Sequence, residues 1–157
     1  VPRMPKVRLH PATPDDLDAI TALLGQMADE NQEFATAPET MKMAVKKSFS
    51  APEQAHWFLF YSEHNELLGV CYLQGVHNYW RQETRYYLGG FYLLSAHRGK
   101  GYFRQIISEL KDWAESQNGV QIYTHIHRNN AKSIGAFKAT GFDAIDYDLY
   151  ALHWGDD

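Results

Sequence analysis

The segment "LLSAHRGKGYFRQII" at 93–107 restricts the fold more than any other part of the sequence. An apolar run leads into Gly99 and Gly101, which are flanked by Arg98 and Lys100, and an amphipathic helix follows. The first N–H groups of a helix lack intrahelical acceptors, and the positive end of the helix attracts anions. Glycine also lets the backbone approach a phosphate closely. The segment therefore predicts a strand, a phosphate-binding turn and a helix, although a solvated turn before a surface helix fits the same pattern.

The glycine spacing excludes two common nucleotide-binding loops. The Walker pattern G-x-x-x-x-G-K-[ST] is absent from the chain. The dinucleotide pattern G-x-G-x-x-G fails because its third glycine would fall on Arg104. If the turn binds phosphate, it does so as a loop of another kind.

The order of the remaining elements predicts one α/β domain over residues 1–157. Helices are expected to begin near Thr13 and Pro38, after the glycine turn, and at Asn130. The early strands can pair as antiparallel hairpins, whereas the strand–helix–strand unit after residue 85 needs a crossover and should be parallel. Strand-like patterns occur at 6–10, 56–62, 66–76, 85–94 and 120–126, with a last strand or pair of strands at 143–154.

A second motif follows the first by about thirty residues. In "NNAKSIGAFKATGF", Asn130 opens a short helix, Ser133 and Phe137 follow, and a Gly-Phe pair at 141–142 closes it. Together with "RGKG", this segment resembles the GNAT superfamily of N-acetyltransferases. Members typically carry [QR]-x-x-G-x-[GA] before a helix and then Asn-x-x-[AS]-x-x-x-Tyr-x-x-x-Gly-Phe. The resemblance covers residues 86–142 well and extends more loosely over the rest of the chain.

The resemblance implies a mixed central sheet of six to seven strands flanked by about four helices, with a strand–helix crossover after the fourth strand. It also implies acetyl-CoA as the acetyl donor. The turn amides would hold the pyrophosphate of coenzyme A, and the end of the preceding strand would offer backbone groups to the pantetheine arm beside a splay in the sheet. The implied cofactor-binding residues are Leu93, Leu94, Arg98, Gly99, Lys100, Gly101, Tyr102, Phe103, Asn130, Ser133 and Phe137.

Two positions depart from the family pattern. Phe103 stands where the first motif usually ends in a small residue, and Phe137 stands where members usually have Tyr. That Tyr often protonates the departing thiolate. A thiol of ordinary pKa, about 8.5, can leave without an acid, so catalysis is compatible with phenylalanine.

The sequence offers more than one candidate for the residue that deprotonates the acceptor amine. Family members often place Glu on the strand before the turn, but "YYLGGFYLL" has no acid, and its two glycines fit either a bulge or room for an acceptor. Glu83 just before that strand and His125 are candidate bases, and Tyr147 on the last predicted strand is a candidate acid. His125 and His127 alone do not make a metal site, and we expect no metal.

The acceptor is expected to be the primary amine of a small, cationic or amino-acid-like molecule. Family members bind substrate between the first two helices and the late strands, where Glu30, Glu33 and Tyr123 are candidate contacts. Acidic residues there would favour a cation, although a solvated acidic loop fits them equally. The aromatic residues in "HNYWRQETRYYL" are also similar to the diamine and polyamine acetyltransferase branch.

Charge and cysteine content limit the other partners. The net charge of -4 argues against nucleic acid, and no apolar run is long enough to span a membrane. Cys71, the single cysteine, lies in an apolar run and is expected to be a buried structural thiol in a cytoplasmic protein. Direct transfer of the acetyl group is therefore favoured, and a homodimer is compatible with this interpretation. The alternatives are a non-catalytic acyl-CoA-binding module and an acetyltransferase of protein lysines or N-termini.

Overall fold

The structure is a computed structural model that describes residues 4–51, 53 and 55–155, apart from the side chain of Glu33. Three short 3-10 turns connect the main elements. In chain order, the described elements are β1 (Val7–Pro11), α1 (Leu17–Glu30), α2 (Pro38–Ser48), β2 (His56–Ser62), β3 (Leu67–Asn78), β4 (Glu83–Leu93), α3 (Tyr102–Ser116), β5 (Gly119–Tyr123) and α4 (Ala131–Ala139).

The described strands form one mixed sheet in the order β1-β2-β3-β4-β5. The first four strands pair antiparallel, and β5 pairs parallel with β4 after the crossover through α3. This confirms the predicted mixed sheet, four helices and crossover after the fourth strand. The described part of the chain has five strands, however, and not six to seven.

The missing strands are those predicted at 143–154, where the structure has no strand. Every described residue from 143 to 155 is exposed to solvent. A strand forms only where a neighbouring strand accepts and donates its backbone hydrogen bonds, and this segment has no such neighbour. The prediction of a last strand or pair of strands at 143–154 is therefore wrong, because an alternating pattern does not report whether a pairing partner is present.

Helices cover both faces of the sheet and divide the core in two. Alternate residues of β2 point to opposite faces, so Phe58 and Phe60 pack with α3 and α4 while Trp57 and Leu59 pack with α1 and α2. Burial on both sides explains why β2 reads as a nearly continuous apolar run. Cys71 is fully buried in the part of the core on the α3 and α4 side, and this burial raises the pKa of its thiol well above the usual value. The prediction of a structural thiol is confirmed.

Candidate functional site

The glycine turn holds two residues in the left-handed region. Gly99 has φ 73° and Gly101 has φ 85°, a conformation that strains residues with a side chain. Gly101 is the N-cap residue of α3 and offers no side chain to its free amides. Space beside Gly99 is open, with no atom within 4 Å of where a Cβ would lie. The first turn of α3 therefore presents N–H donors and a positive dipole end, as an anion site requires.

The side chain of Arg98 connects the glycine turn to the end of β4 and to the end of α1. Its Nε donates to the carbonyl oxygen of Leu93 at 2.8 Å, and its Nη2 donates to Glu30 Oε2 at 2.7 Å. Its guanidinium also lies over the Tyr92 ring, 5.4 Å from the centroid. Arg98 thus positions the turn against the end of α1, and its charge is already paired with Glu30.

The Glu30 carboxylate, at the end of α1, has two hydrogen-bond partners. Besides Arg98, it accepts a hydrogen bond from the Tyr92 hydroxyl at 2.8 Å. The Arg98 and Tyr92 hydrogen bonds hold the pKa of the Glu30 carboxyl below its usual range, and the charge of Lys132 at the start of α4 adds to this. Glu30 therefore has a structural role near the site, and a substrate cation would have to compete with Arg98 for it.

The two phenylalanines that depart from the family pattern pack against each other. The rings of Phe103 and Phe137 meet edge to face at 5.0 Å, and Phe91 contacts both. Phe137 is buried and also contacts Phe142. The large Phe103 side chain thus packs against the core.

A splay opens between β4 and β5 next to the turn. The parallel ladder ends at Tyr87 and Tyr123, and the Thr124 hydroxyl then donates to the carbonyl oxygen of Leu88 at 2.8 Å. Beyond this point β4 continues to Leu93 with no β5 partner. The predicted splay is therefore present, and the strand end predicted to contact the pantetheine arm lies along it. At least two of those backbone groups are engaged within the protein. The Leu93 carbonyl oxygen accepts a hydrogen bond from Arg98 Nε, and the Leu94 N–H donates to the Leu68 carbonyl, both at 2.8 Å.

A cleft lies between the end of α1 and the loop after β5. It has a volume of about 640 Å³ and is lined by Asn31, His127, Asn129 and Asn130. Asn130 Oδ1 accepts the Ser133 amide at 3.1 Å and so caps α4. Two of the three residues that the second motif predicted as cofactor contacts, Asn130 and Ser133, are thus joined by a capping hydrogen bond.

A row of aromatic side chains crosses the sheet beside the splay. Trp57, Tyr72, Tyr87 and Tyr123 come from four successive strands, and neighbouring ring centroids lie 5.0, 6.2 and 5.5 Å apart. His125 extends the row, with its ring 4.9 Å from that of Tyr87. Burial raises the pKa of the Tyr72 and Tyr87 hydroxyls, and the neighbouring tyrosine raises each further, so both remain protonated near neutral pH. The structure brings the predicted His125 and Tyr123 together here.

Tyr72 is a site residue that the sequence analysis missed. Its ring and hydroxyl occupy the space where a Cβ on Gly89 would lie, and the ring also approaches Gly90. The register between β3 and β4 shifts here, so that Gly90 and Phe91 together oppose Cys71. Gly90 therefore lies in a bulge, and Tyr72 fills the space beside the neighbouring Gly89. The only sequence signal for this arrangement was that Gly89 and Gly90, and no acidic residue, stand in the centre of this strand.

The other sequence-predicted residues lie elsewhere. Glu83 begins β4, ten residues before Leu93 and about 33 Å from it along the strand, and it pairs with Arg85 at 3.0 Å. Tyr147 is in the exposed segment after α4. The side chain of Glu33 lies outside the described part of the structure. Neither Glu83 nor Tyr147 joins the aromatic row.

The glycine turn at a helix N-terminus, beside a splayed parallel strand pair, gives this α/β fold a turn whose free amides suit an anion. The chain matches the model described as the acetyltransferase (GNAT) family over residues 23–142. It therefore belongs to the GNAT family. Membership confirms the predicted class of enzyme, an N-acetyltransferase, and with it acetyl-CoA as the acetyl donor.

Solved structures show the same fold at low sequence identity. A possible acetyltransferase from Clostridium difficile 630 superposes with a TM-score of 0.85 at 16% identity, covering 96% of this chain and 99% of that one. A "predicted acetyltransferase" from Clostridium acetobutylicum, solved with acetyl-CoA, gives 0.71 at 13%, covering 94% and 96%. The aminoglycoside N-acetyltransferase AAC(6')-Iy in complex with CoA gives 0.77 at 15%, covering 98% of both chains. A comparison with curated protein sequences finds no match.

Within the described part of the chain, no helix is both long and apolar enough to cross a membrane.

Proposed function

We propose that this acetyltransferase transfers an acetyl group from acetyl-CoA directly to the primary amine of a small cationic or amino-acid-like molecule, and that it acts in the cytoplasm. The aromatic row beside the splay carries the proposal. Tyrosine faces attract ammonium groups, and the row's tyrosine hydroxyls can donate to or accept from polar groups of a small molecule. The aminoglycoside acetyltransferase with the same fold also acetylates an amine.

The residues of the turn fit the donor. The amides of Gly99–Phe103 at the α3 N-terminus would hold the pyrophosphate, with Lys100 adding charge. The splayed end of β4 would bind the pantetheine arm, with Asn130 and Ser133 on the opposite side. Arg98 contributes by fixing the turn to Leu93 and Glu30.

His125 is the base that the geometry favours. It lies two residues after the last β4–β5 pair, at the mouth of the splay, and its ring contacts Tyr87. An amine must lose a proton before it attacks the thioester, and a histidine accepts protons near neutral pH. As the new C–N bond forms, the C–S bond breaks and coenzyme A leaves as a thiolate. Phe137 offers no hydroxyl to this sulfur, so the thiolate leaves without a dedicated acid.

An amine panel tests the proposed function. Thiol release from acetyl-CoA would be followed with a polyamine, a free amino acid, an aminoglycoside and a lysine-containing peptide. Turnover with one of the small amines is the expected result. Turnover with the peptide alone would favour a protein acetyltransferase. Tight acetyl-CoA binding without turnover on any amine would favour the non-catalytic module, whose main support is Phe137.

The role of His125 has a sharper test. His125→Gln is expected to lower kcat by about 100-fold or more at pH 7, the usual contribution of a general base. The loss should shrink at high pH, where the free amine is abundant. His64→Gln, the same substitution at an exposed histidine in the turn between β2 and β3, is the matched control and should retain kcat. An unchanged pH profile in the His125 variant would exclude it as the base.

A further inference from the structure

Two glycines follow the point where β4 and β5 separate. The Leu88 carbonyl oxygen accepts the Thr124 hydroxyl at this point, and Gly89 and Gly90 come next on β4. A glycine inside a strand has no side chain to pack, and it often marks a place where a ligand approaches the backbone closely. The start of the splay therefore has space that side chains on β4 would otherwise fill.

The side chain of Tyr72 on β3 borders that space. If Gly89 carried a Cβ, the three nearest atoms outside its chain neighbours would all belong to the Tyr72 ring and hydroxyl. A Cβ on Gly90 would lie 3.2 Å from the same ring. The Tyr72 side chain is thus the surface that faces a group lying over the two glycines.

Neighbouring side chains hold the Tyr72 ring in place. The centroid of the Trp57 ring lies 5.0 Å from it, and that of the Tyr87 ring lies 6.2 Å from it. Trp57 is itself buried, and its indole N–H donates to the Ser48 hydroxyl on α2 at 2.9 Å. Closely packed side chains leave little room for a neighbour to turn aside. The ring is therefore a fixed wall beside the two glycines.

We propose that Tyr72 is a specificity-determining residue that limits the acyl group of the donor to acetyl. The inference rests on the proposed function in one respect, the course of the pantetheine arm along the splayed end of β4. The strand from Leu93 back to Leu88 spans roughly 17 Å, which is similar to the length of an extended pantetheine arm. With the pyrophosphate at the turn, the thioester would lie at the two glycines, and its acyl group would face the Tyr72 ring.

Each methylene added to the acyl chain would have to displace this wall. Adding methylenes to a packed site forces side chains and backbone out of their preferred positions. A single methylene in a hydrophobic pocket changes selectivity by about 10- to 200-fold. The wild type is therefore expected to bind propionyl-CoA about 10-fold or more weakly than acetyl-CoA, and to bind butyryl-CoA more weakly still.

Calorimetric titration with CoA, acetyl-CoA, propionyl-CoA and butyryl-CoA tests the wall without an acceptor amine. The quantity compared is the ratio of the Kd of butyryl-CoA to the Kd of acetyl-CoA. Tyr72→Val removes the ring while Trp57 and Tyr87 remain, so the space should open to the longer chain. The ratio is expected to fall by about 10-fold or more relative to the wild type, because the methylenes no longer meet the ring.

Three further variants control for the side chain and the fold. Tyr72→Phe keeps the ring and should keep the wild-type ratio, which separates the bulk of the ring from the hydroxyl. Tyr61→Val makes the same substitution at a half-buried tyrosine of β2 that contacts His10 and Arg8, and it should also keep the ratio. Tyr72→Leu replaces Tyr72→Val if far-UV circular dichroism shows that the valine variant does not fold.

A wild type with equal Kd values for acetyl-CoA and butyryl-CoA would overturn the proposal. So would a wild-type ratio in the folded variant without the ring, including the case in which all four ligands bind more weakly by one factor. A ratio lost in Tyr72→Phe would overturn it too, since the ring remains there. If unmodified CoA does not bind, both the donor site and this proposal fail. Acetyl transfer enters none of these titrations, so a selective protein that acetylates no amine would contradict the proposed function alone.

Discussion

Tyr72 and Gly89 fit each other across two strands, and this fit explains why β4 carries no side chain at that position. The ring of Tyr72 occupies the space that any Cβ on Gly89 would need. Tyr72 in turn contacts Trp57 and Tyr87 on either side. The aromatic row therefore depends on one glycine that does not belong to it.

Gly89→Ala is expected to destabilise the protein by about 1–3 kcal/mol, because the added methyl group overlaps the Tyr72 ring. Urea unfolding would measure the loss. In a Tyr72→Val background the ring is absent, and the same substitution should cost much less. Equal losses in both backgrounds would show that the strain arises from the bulge and not from the ring.

The Glu30 carboxylate links three elements, since its partners are Tyr92 on β4 and Arg98 in the turn. The Arg98 and Tyr92 hydrogen bonds lower the pKa of Glu30 in the folded chain. The unfolded chain therefore binds a proton at higher pH than the folded chain does. Stability from this group is present above the unfolded pKa, about 4.3, and is lost as the pH falls through the folded value.

Glu30→Gln should accordingly flatten the stability profile on the acidic side. The free energy of unfolding of the wild type is expected to fall between pH 5 and 3 more steeply than that of the variant. Arg98→Gln tests the cause, because it removes the main partner of Glu30. The stability of this variant should fall less steeply with pH than that of the wild type, and more like that of Glu30→Gln. Parallel profiles in all three proteins would show that Glu30 is not coupled to folding.

At the scale of elements, α4 begins with a cap that also borders the cleft. Asn130 Oδ1 accepts the Ser133 amide, and Asn130 lines the cleft with His127. Capping and ligand contact are different uses of one side chain. Substitutions that keep one use and change the other can separate them.

Asn130→Ala should lower stability by about 1 kcal/mol through loss of the cap, and it should also weaken acetyl-CoA binding if the side chain contacts the donor. Asn130→Asp keeps the cap but would place a negative charge next to the proposed site of acetyl-CoA, which is itself anionic. It is expected to retain stability while raising the KM for acetyl-CoA several-fold. An Asp variant with wild-type KM would remove Asn130 from the cofactor site.

Elements with a strong local pattern were predictable from the sequence, and those that depend on a partner were not. Strand β2 has the predicted bounds of 56–62, and α1 starts after the predicted Thr13 and Pro14, where the Thr13 amide donates to Asp16 at 2.9 Å. The last strand failed because the pattern at 143–154 reports propensity but not the presence of a neighbour. Whether a strand forms depends on which other strand lies beside it in the sheet, and a local sequence pattern does not report this.

At the scale of the whole molecule, the site combines residues that are distant in sequence. The glycine turn was predictable because its residues are consecutive. The contact of Tyr72 with Gly89 depends on a register shift between β3 and β4, which no local pattern reports. The pairing of Arg98 with Glu30 joins positions 68 residues apart. Residue chemistry identified both side chains as candidates, but only the fold shows that they bind each other.

Binding of the donor at the turn should be visible in the stability of the entire chain. A ligand that binds only the folded state stabilises it by about 2.7 kcal/mol at 100 times its Kd. Gly99 and Gly135 both have open space around them, but only Gly99 has a positive φ. Gly99→Ala should therefore cost roughly 1–2 kcal/mol of strain, whereas Gly135→Ala in α4 should stabilise by about 0.5–1 kcal/mol.

Coenzyme A at a fixed concentration is expected to raise the unfolding temperature of the wild type and of Gly135→Ala equally. The rise should be smaller for Gly99→Ala, because its strained turn presents the backbone amides less well to the pyrophosphate. Differential scanning calorimetry measures both the unfolding temperature without coenzyme A and its rise with coenzyme A in one series. Equal shifts in all three proteins would place coenzyme A away from the turn. No shift in the wild type would contradict donor binding altogether, since mass action requires a ligand of the folded state to stabilise it.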